Sequence, residues 1–194
     1  MASKIKELLD EHLEIFKSLY ELEEKIQKSV EMISEAIKNG GKLLVCGNGG
    51  SAADAQHIAA EFVNKFRKER KPLPAIALTT DTSILTSISN DYDFKDVFRK
   101  QIEAIGKRGD VLLAISTSGR SKNVLNAIKY AKTNGIYTIG LSGENPMGCD
   151  IDICVPSNNT PRIQEMHVLL YHIICELVEE LLCKEQYFST ETEQ

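Results

Sequence analysis

The sequence predicts an α/β protein of three layers, a mostly parallel sheet between two sets of helices, preceded by an N-terminal helical arm. Two observations carry this. Short apolar, partly β-branched runs at residues 42–46, 75–78, 111–115 and 137–141 each stop at Gly, Thr or Ser, and 151–155 is a fifth candidate. Helix-patterned stretches near residues 51–68, 94–105 and 121–134 separate these runs, and 162–184 forms a last helix. Strands alternating with helices require crossover connections, which give parallel pairing and cover both faces of the sheet.

The chain has 194 residues, of which 42% are hydrophobic and 26% charged, enough to bury one substantial core. Its formal net charge of −5 argues against a nucleic-acid partner. No long apolar segment and no secretory leader is legible, so no membrane association and a cytoplasmic location are expected. The five cysteines, Cys46, Cys149, Cys154, Cys175 and Cys183, lack C-x-x-C spacing and are read as reduced thiols.

Taken in order, residues 1–40 form the arm. From 5 to 38 there is neither Gly nor Pro, and Ile5, Leu8, Leu9, Phe16, Leu19, Ile26, Val30, Ile33 and Ile37 recur at helical spacing until Gly40-Gly41 stops the run. One helix or two satisfy this pattern. Their apolar stripe must be buried against the domain or against another copy of it. Residues 41–186 carry the alternating domain, and 187–194 an acidic tail.

Two strand ends carry similar chemistry. The first strand runs into Gly47-Asn48-Gly49-Gly50-Ser51, and the third into "STSGRS", residues 116–121. Glycines admit backbone N–H groups close to an anion, the following helix N-terminus adds partial positive charge, and hydroxyls donate further bonds. Tight turns explain either loop alone, whereas two at equivalent strand ends point to a phosphate. Nucleotide readings fit less well. The first loop lacks the lysine of a P-loop. Gly47-x-Gly49-x-x-Ala52 matches the loose dinucleotide fingerprint, but Asp81 comes too late to bind a ribose.

On the first domain helix, His57 and Glu61 share one face at i, i+4 and can both reach one metal ion, although a solvated helix face gives the same pattern. The last helix, "RIQEMHVLLYHIICELV", places Gln164, His167 and His172 among residues apolar on nearly every side. Polar groups so buried need partners.

Together "CGNGGSAADAQH", "SNDYDF", "AISTSGRS" and "RIQEMH" resemble the sugar isomerase (SIS) family, and within it the phosphoheptose isomerases, from about residue 41 to 182. The resemblance implies a flavodoxin-like SIS fold, a sugar phosphate ligand, and an arm of the kind that assembles homotetramers. It implies one zinc ion (Zn2+) per subunit, held by His57, Glu61, Gln164 and His172. Gln164 and His172 are eight residues apart, about 12 Å along an ideal helix, so His167 is the easier partner for Gln164 on spacing alone. The reaction implied is isomerisation of sedoheptulose 7-phosphate to D-glycero-D-manno-heptose 7-phosphate through an enediolate, the first step toward nucleotide-activated heptose for lipopolysaccharide, capsule or another glycoconjugate.

On that reading Glu61 moves the carbon-bound proton and His172 shuttles protons at oxygen. Ser116, Thr117, Ser118 and Ser121 hold the phosphate, while Asn48, Gly49, Gly50, Ser51, Asn90, Asp91, Glu61 and Gln164 contact the sugar. Without the resemblance, Asn90-Asp91 reads as a turn. Two positions depart from the family pattern. Pro161 stands where some members carry an acid before "RIQE", and Lys65 where many carry arginine. A lysine keeps the charge and loses the bidentate fork. The alternative is a non-catalytic SIS protein that binds the replication initiator DnaA. The resemblance implies that this branch lacks the equivalents of Glu61 and His172, and this chain has both. A sugar-phosphate-sensing transcription regulator would need a helix-turn-helix domain for which the chain has no room beyond its arm. An isomerase of shorter sugar phosphates stays open, because no residue pattern measures sugar length.

Overall fold

Five parallel strands, β1 (Leu43–Gly47), β2 (Ala75–Ala77), β3 (Val111–Ser116), β4 (Tyr137–Ser142) and β5 (Ile151–Cys154), form one sheet. Their order is β2-β1-β3-β4-β5, in a computed structural model that describes residues 2–190. The register sets Cys46 beside Ala114 and Gly47 beside Ile115, so β1 and β3 end side by side. Both strands are buried along their whole length. Strands covered on both faces read as unbroken apolar runs, which is why these two were legible.

Side-chain alternation divides the core. Leu43, Val45, Val111 and Leu113 join one cluster, Leu44, Cys46, Leu112 and Ala114 the other. Helices α2 (Glu23–Lys38), α3 (Gly50–Val63) and α7 (Thr160–Thr190) cover the first face, as Ile33, Ile58 and Leu170 show. Helices α5 (Val97–Ile105) and α6 (Lys122–Thr133) cover the second through Phe98, Ile102, Val124 and Ile128. The result is the expected three-layer α/β architecture.

The arm is two helices. α1 (Ala2–Ser18) meets α2 through a 3₁₀ turn at Leu19–Leu22. α2 buries Ile26, Val30 and Ile33 and so becomes part of the first layer, whereas α1 leaves Ile5 56% and Leu9 65% exposed. Other boundaries also differ from the sequence reading. The helix expected over 51–68 stops at Val63, and the one expected over 94–105 begins with a 3₁₀ turn, Phe94–Asp96. An unexpected helix, α4 (Thr82–Asp91), is rich in Ser, Thr and Ile, which favour helix only weakly. Asp81 starts it by accepting the Ile84 N–H at 2.9 Å. α7 continues through residues 187–190 of the expected tail, and 191–194 lie outside the described residues.

The strand order reverses direction at β1, which leads to β2 on one side and to β3 on the other. Open sheets of this order bind ligands in the crevice beyond the carboxyl ends of the strands at that point. Both glycine- and serine-bearing loops emerge there.

Candidate active site

The first loop turns on Gly49, whose φ of +57° is a conformation that side chains with a Cβ rarely adopt. α3 then starts at Gly50, and Ser51 is buried in its first turn. α7 closes over the loop here: a Cβ at Gly50 would overlap the Gln164 side-chain amide and displace it. Across the crevice, Ser116 Oγ lies 3.4 Å from Ser118 Oγ and 3.0 Å from Ser121 Oγ. Ser121 is the N-cap residue of α6 but makes no capping bond. Its hydroxyl faces Ser116; in the first turn of α6 the Val124 N–H is taken by Asn123 Oδ1 at 3.0 Å, so an anion would meet the N–H groups that precede it. Asn48 and Asn123 exchange two amide hydrogen bonds, 2.9 and 2.8 Å, and tie the two loops together. Behind the second loop, Gly143 N–H donates to Thr117 O at 3.0 Å.

One turn further along α3, Asp54, His57 and Glu61 occupy one face. His57 Nε2 is 2.9 Å from Glu61 Oε1. The His172 ring, on α7, has its centre 5.0 Å from that of His57 and nearly perpendicular to it. One ligand atom from each of His57, Glu61 and His172 lies within 4.8 Å of the others. Burial lowers the His172 pKa, charge on His57 lowers it further and Glu61 opposes them. A neutral imidazole with a free lone pair follows. Two imidazoles and a carboxylate converging at such range are a donor set that fits a zinc ion.

Gln164 donates its amide N–H to Asp54 Oδ2 at 3.2 Å, so its carbonyl oxygen is the end free to ligate or to bind sugar. Burial raises the Asp54 pKa, and the Gln164 bond and His57 partly offset this. His167 lies apart from the His57 group. It is fully buried and donates Nε2–H to Ser142 O at 3.1 Å, and burial lowers its pKa to about 4 despite that bond. Asn90 and Asp91 end α4, exposed and bonded to one another at 2.8 Å. Pro161 stands in the first turn of α7, where a missing N–H costs nothing. Lys65 pairs with Glu69 on the protein surface.

Three residues of this region carried no signal that singled them out. Asp54 falls on the His57 face at i−3, which helical spacing reveals once His57 is noticed. Tyr171 and Asn123 show their place only in three dimensions. Tyr171 is 1% exposed, and its hydroxyl lies 3.0 Å from His57 Nδ1. Burial raises its pKa, with Asp54, Cys175 and Glu61 adding to the effect, so the phenol stays protonated.

Comparison with known proteins identifies the family. The SIS domain family matches residues 7–143. The phosphoheptose isomerase of Clostridium acetobutylicum is 58% identical over 167 residues, 84% of this chain and 85% of that protein. That of Geotalea daltonii is 50% identical over 96% of this chain and 100% of its own length. Among solved structures, phosphoheptose isomerases from Neisseria gonorrhoeae and Francisella tularensis superpose with TM-scores of 0.85 and 0.86, at 41% and 36% identity. Each comparison covers 92% of this chain and 98% of the other.

Proposed function

The chain belongs to the SIS domain family, in its phosphoheptose isomerase branch, and is a sugar-phosphate isomerase; we propose that it interconverts sedoheptulose 7-phosphate and D-glycero-D-manno-heptose 7-phosphate with one zinc ion per subunit. The observation that carries this reading is the convergence of His57, Glu61 and His172 within 4.8 Å. It is joined through Gln164 and Asp54 to the phosphate-type loops at the β1/β3 crevice.

His57, Glu61, His172 and the Gln164 carbonyl would hold the zinc ion, which would supply Lewis-acid polarisation of the substrate carbonyl. The protein's own groups do the rest. Ser116, Thr117, Ser118 and Ser121, with the N-terminus of α6, hold the 7-phosphate and place the other end of the sugar toward α3. Asn48, Gly49, Gly50 and Ser51 line its path, and Asn90 and Asp91 contact the sugar from α4. Glu61 removes the proton from the carbon beside the carbonyl and returns it to the neighbouring carbon. His172, neutral at rest, moves the hydroxyl proton between the two oxygens. The heptose product feeds nucleotide-activated heptose for a surface glycoconjugate.

The non-catalytic, DnaA-binding alternative is set aside because relatives at 50–58% identity bear the enzyme's name. The working state on this reading is a homotetramer. The exposed stripe of α1 needs a cover. A groove of about 770 Å³ between α2 and α7, lined by Phe16, Val30, Ile173 and Leu177, offers a second apolar surface. No helix among the described residues is long and apolar enough to cross a membrane. All five cysteines are free, in keeping with a cytoplasmic location.

The test is incubation of zinc-loaded protein with sedoheptulose 7-phosphate in D₂O, followed by proton NMR. The reading expects a new heptose 7-phosphate, lost on chelation and in His172→Ala. An unchanged ketose in the presence of bound zinc overturns the substrate assignment.

A further inference from the structure

Tyr171 touches both histidines of the candidate metal group. Its hydroxyl is 3.0 Å from His57 Nδ1, and its ring centre lies 4.6 Å from that of His172 and 5.7 Å from that of His57. The opposite nitrogen of His57, Nε2, is 2.9 Å from Glu61 Oε1. An ionised carboxylate accepts only, so when the ring is neutral Nε2 carries its one proton and Nδ1 accepts from the Tyr171 hydroxyl. For Nε2 to ligate a metal, its lone pair must be free, which puts the proton on Nδ1 and requires an acceptor there. A phenol serves as donor in the first state and as acceptor in the second, by rotation of one O–H bond.

We infer that Tyr171 is a positioning residue whose hydroxyl lets His57 exchange its ring tautomer, so that Nε2 turns from a hydrogen bond with Glu61 to a metal ion. This rests on the zinc reading of the site. Because Tyr171 is buried between α3 and α7, its ring also fixes the planes of both imidazoles. Partners of this kind outside the ligand set typically change metal affinity about 10–100-fold when removed.

The experiment uses the full chain, with Tyr171→Phe as the variant, since phenylalanine keeps the ring contacts and loses only the hydroxyl. Zinc affinity is read by competition with a chromophoric chelator. The tautomer is read by ¹⁵N NMR of histidine-labelled protein; the sequence holds four histidines, and His57→Gln identifies the relevant signal. In the wild type, His57 should pass from the Nε2–H form without metal to the Nδ1–H form with zinc. In Tyr171→Phe, zinc should bind about 10–100-fold more weakly, and the metal-free Nε2–H form should lose its hydrogen-bonded Nδ1 shift. Equal zinc affinity together with an unaltered His57 signal in the variant overturns the tyrosine role alone. A wild type that binds no zinc overturns the metal reading and this inference with it.

Discussion

Removing the Glu179 carboxylate tests how the candidate base Glu61 is held in place. Glu179, on α7, is 1% exposed. It accepts the backbone N–H groups of Phe66, Arg67 and Lys68 at 2.9, 2.8 and 2.8 Å, and Arg70 Nε at 2.9 Å. Arg70 in turn donates to the carbonyls of Glu61 and Phe62, at 2.8 and 2.9 Å. These are last-turn carbonyls of α3, which have no partner within the helix. Burial acts to raise the Glu179 pKa, but the bonds from Arg67, Phe66 and Lys68, with the Arg70 charge, hold it below the usual carboxylate range. Glu179→Ala strands a guanidinium that is only 3% exposed. Breaking a buried pair in this way costs about 3–5 kcal/mol, a large share of a typical total of roughly 5–15 kcal/mol. Urea unfolding of the full chain measures it. The paired replacement Arg70→Met with Glu179→Leu should cost less than the two single changes summed, because no lone charge is left behind. The pH dependence has a definite sign. A carboxylate with a lowered folded pKa stabilises above its unfolded value near 4.5, and the contribution is lost as pH falls through the folded value. A Glu179→Ala protein within about 1 kcal/mol of wild type would refute the latch, since a buried unpaired charge cannot be that cheap.

Ser121→Ala should raise KM for the sugar phosphate about 10-fold or more, the worth of one bond to a charged group. Thermal stability should hardly change, because Ser121 caps nothing; an unaltered KM counts against the phosphate assignment. Gln164→Ala removes the amide that bonds Asp54 and should weaken zinc binding about 10-fold or more, measurable by chelator competition; full retention of affinity removes Gln164 from the ligand set. His167 is buried neutral with a pKa lowered to about 4, so its contribution is whole above its unfolded value near 6.5 and is lost as pH falls toward 4. His167→Gln lacks that loss, and the stability gap between wild type and variant should narrow between pH 7 and pH 4 in urea titrations. A constant gap contradicts a buried neutral imidazole.

The architecture and the two loops were legible because their causes are local. Doubly covered strands such as β1 and β3 are continuous apolar runs, and a strand end that must present N–H groups to an anion needs glycine or serine there. His57 and Glu61 share a face by helical spacing alone. Other features depend on residues far apart in sequence. The pattern over 51–68 continues as helix, yet α3 stops at Val63 because Glu179 and Arg70 draw residues 66–68 away and satisfy the helix-end carbonyls. α4 forms despite weak local propensity, its Leu85 and Ile88 packing on the second core cluster. The chain's own spacing favours His167 as a partner for Gln164. Packing instead turns His167 to the Ser142 carbonyl and brings His172 against His57 and Tyr171, since which side of a helix apolar all round faces a neighbour is set by the neighbour. Sequence by itself determined the five strands, the glycine and serine loops at their ends and the shared face of His57 and Glu61. Tertiary structure decided which of the buried polar groups meet, because each needs a partner that only another element supplies.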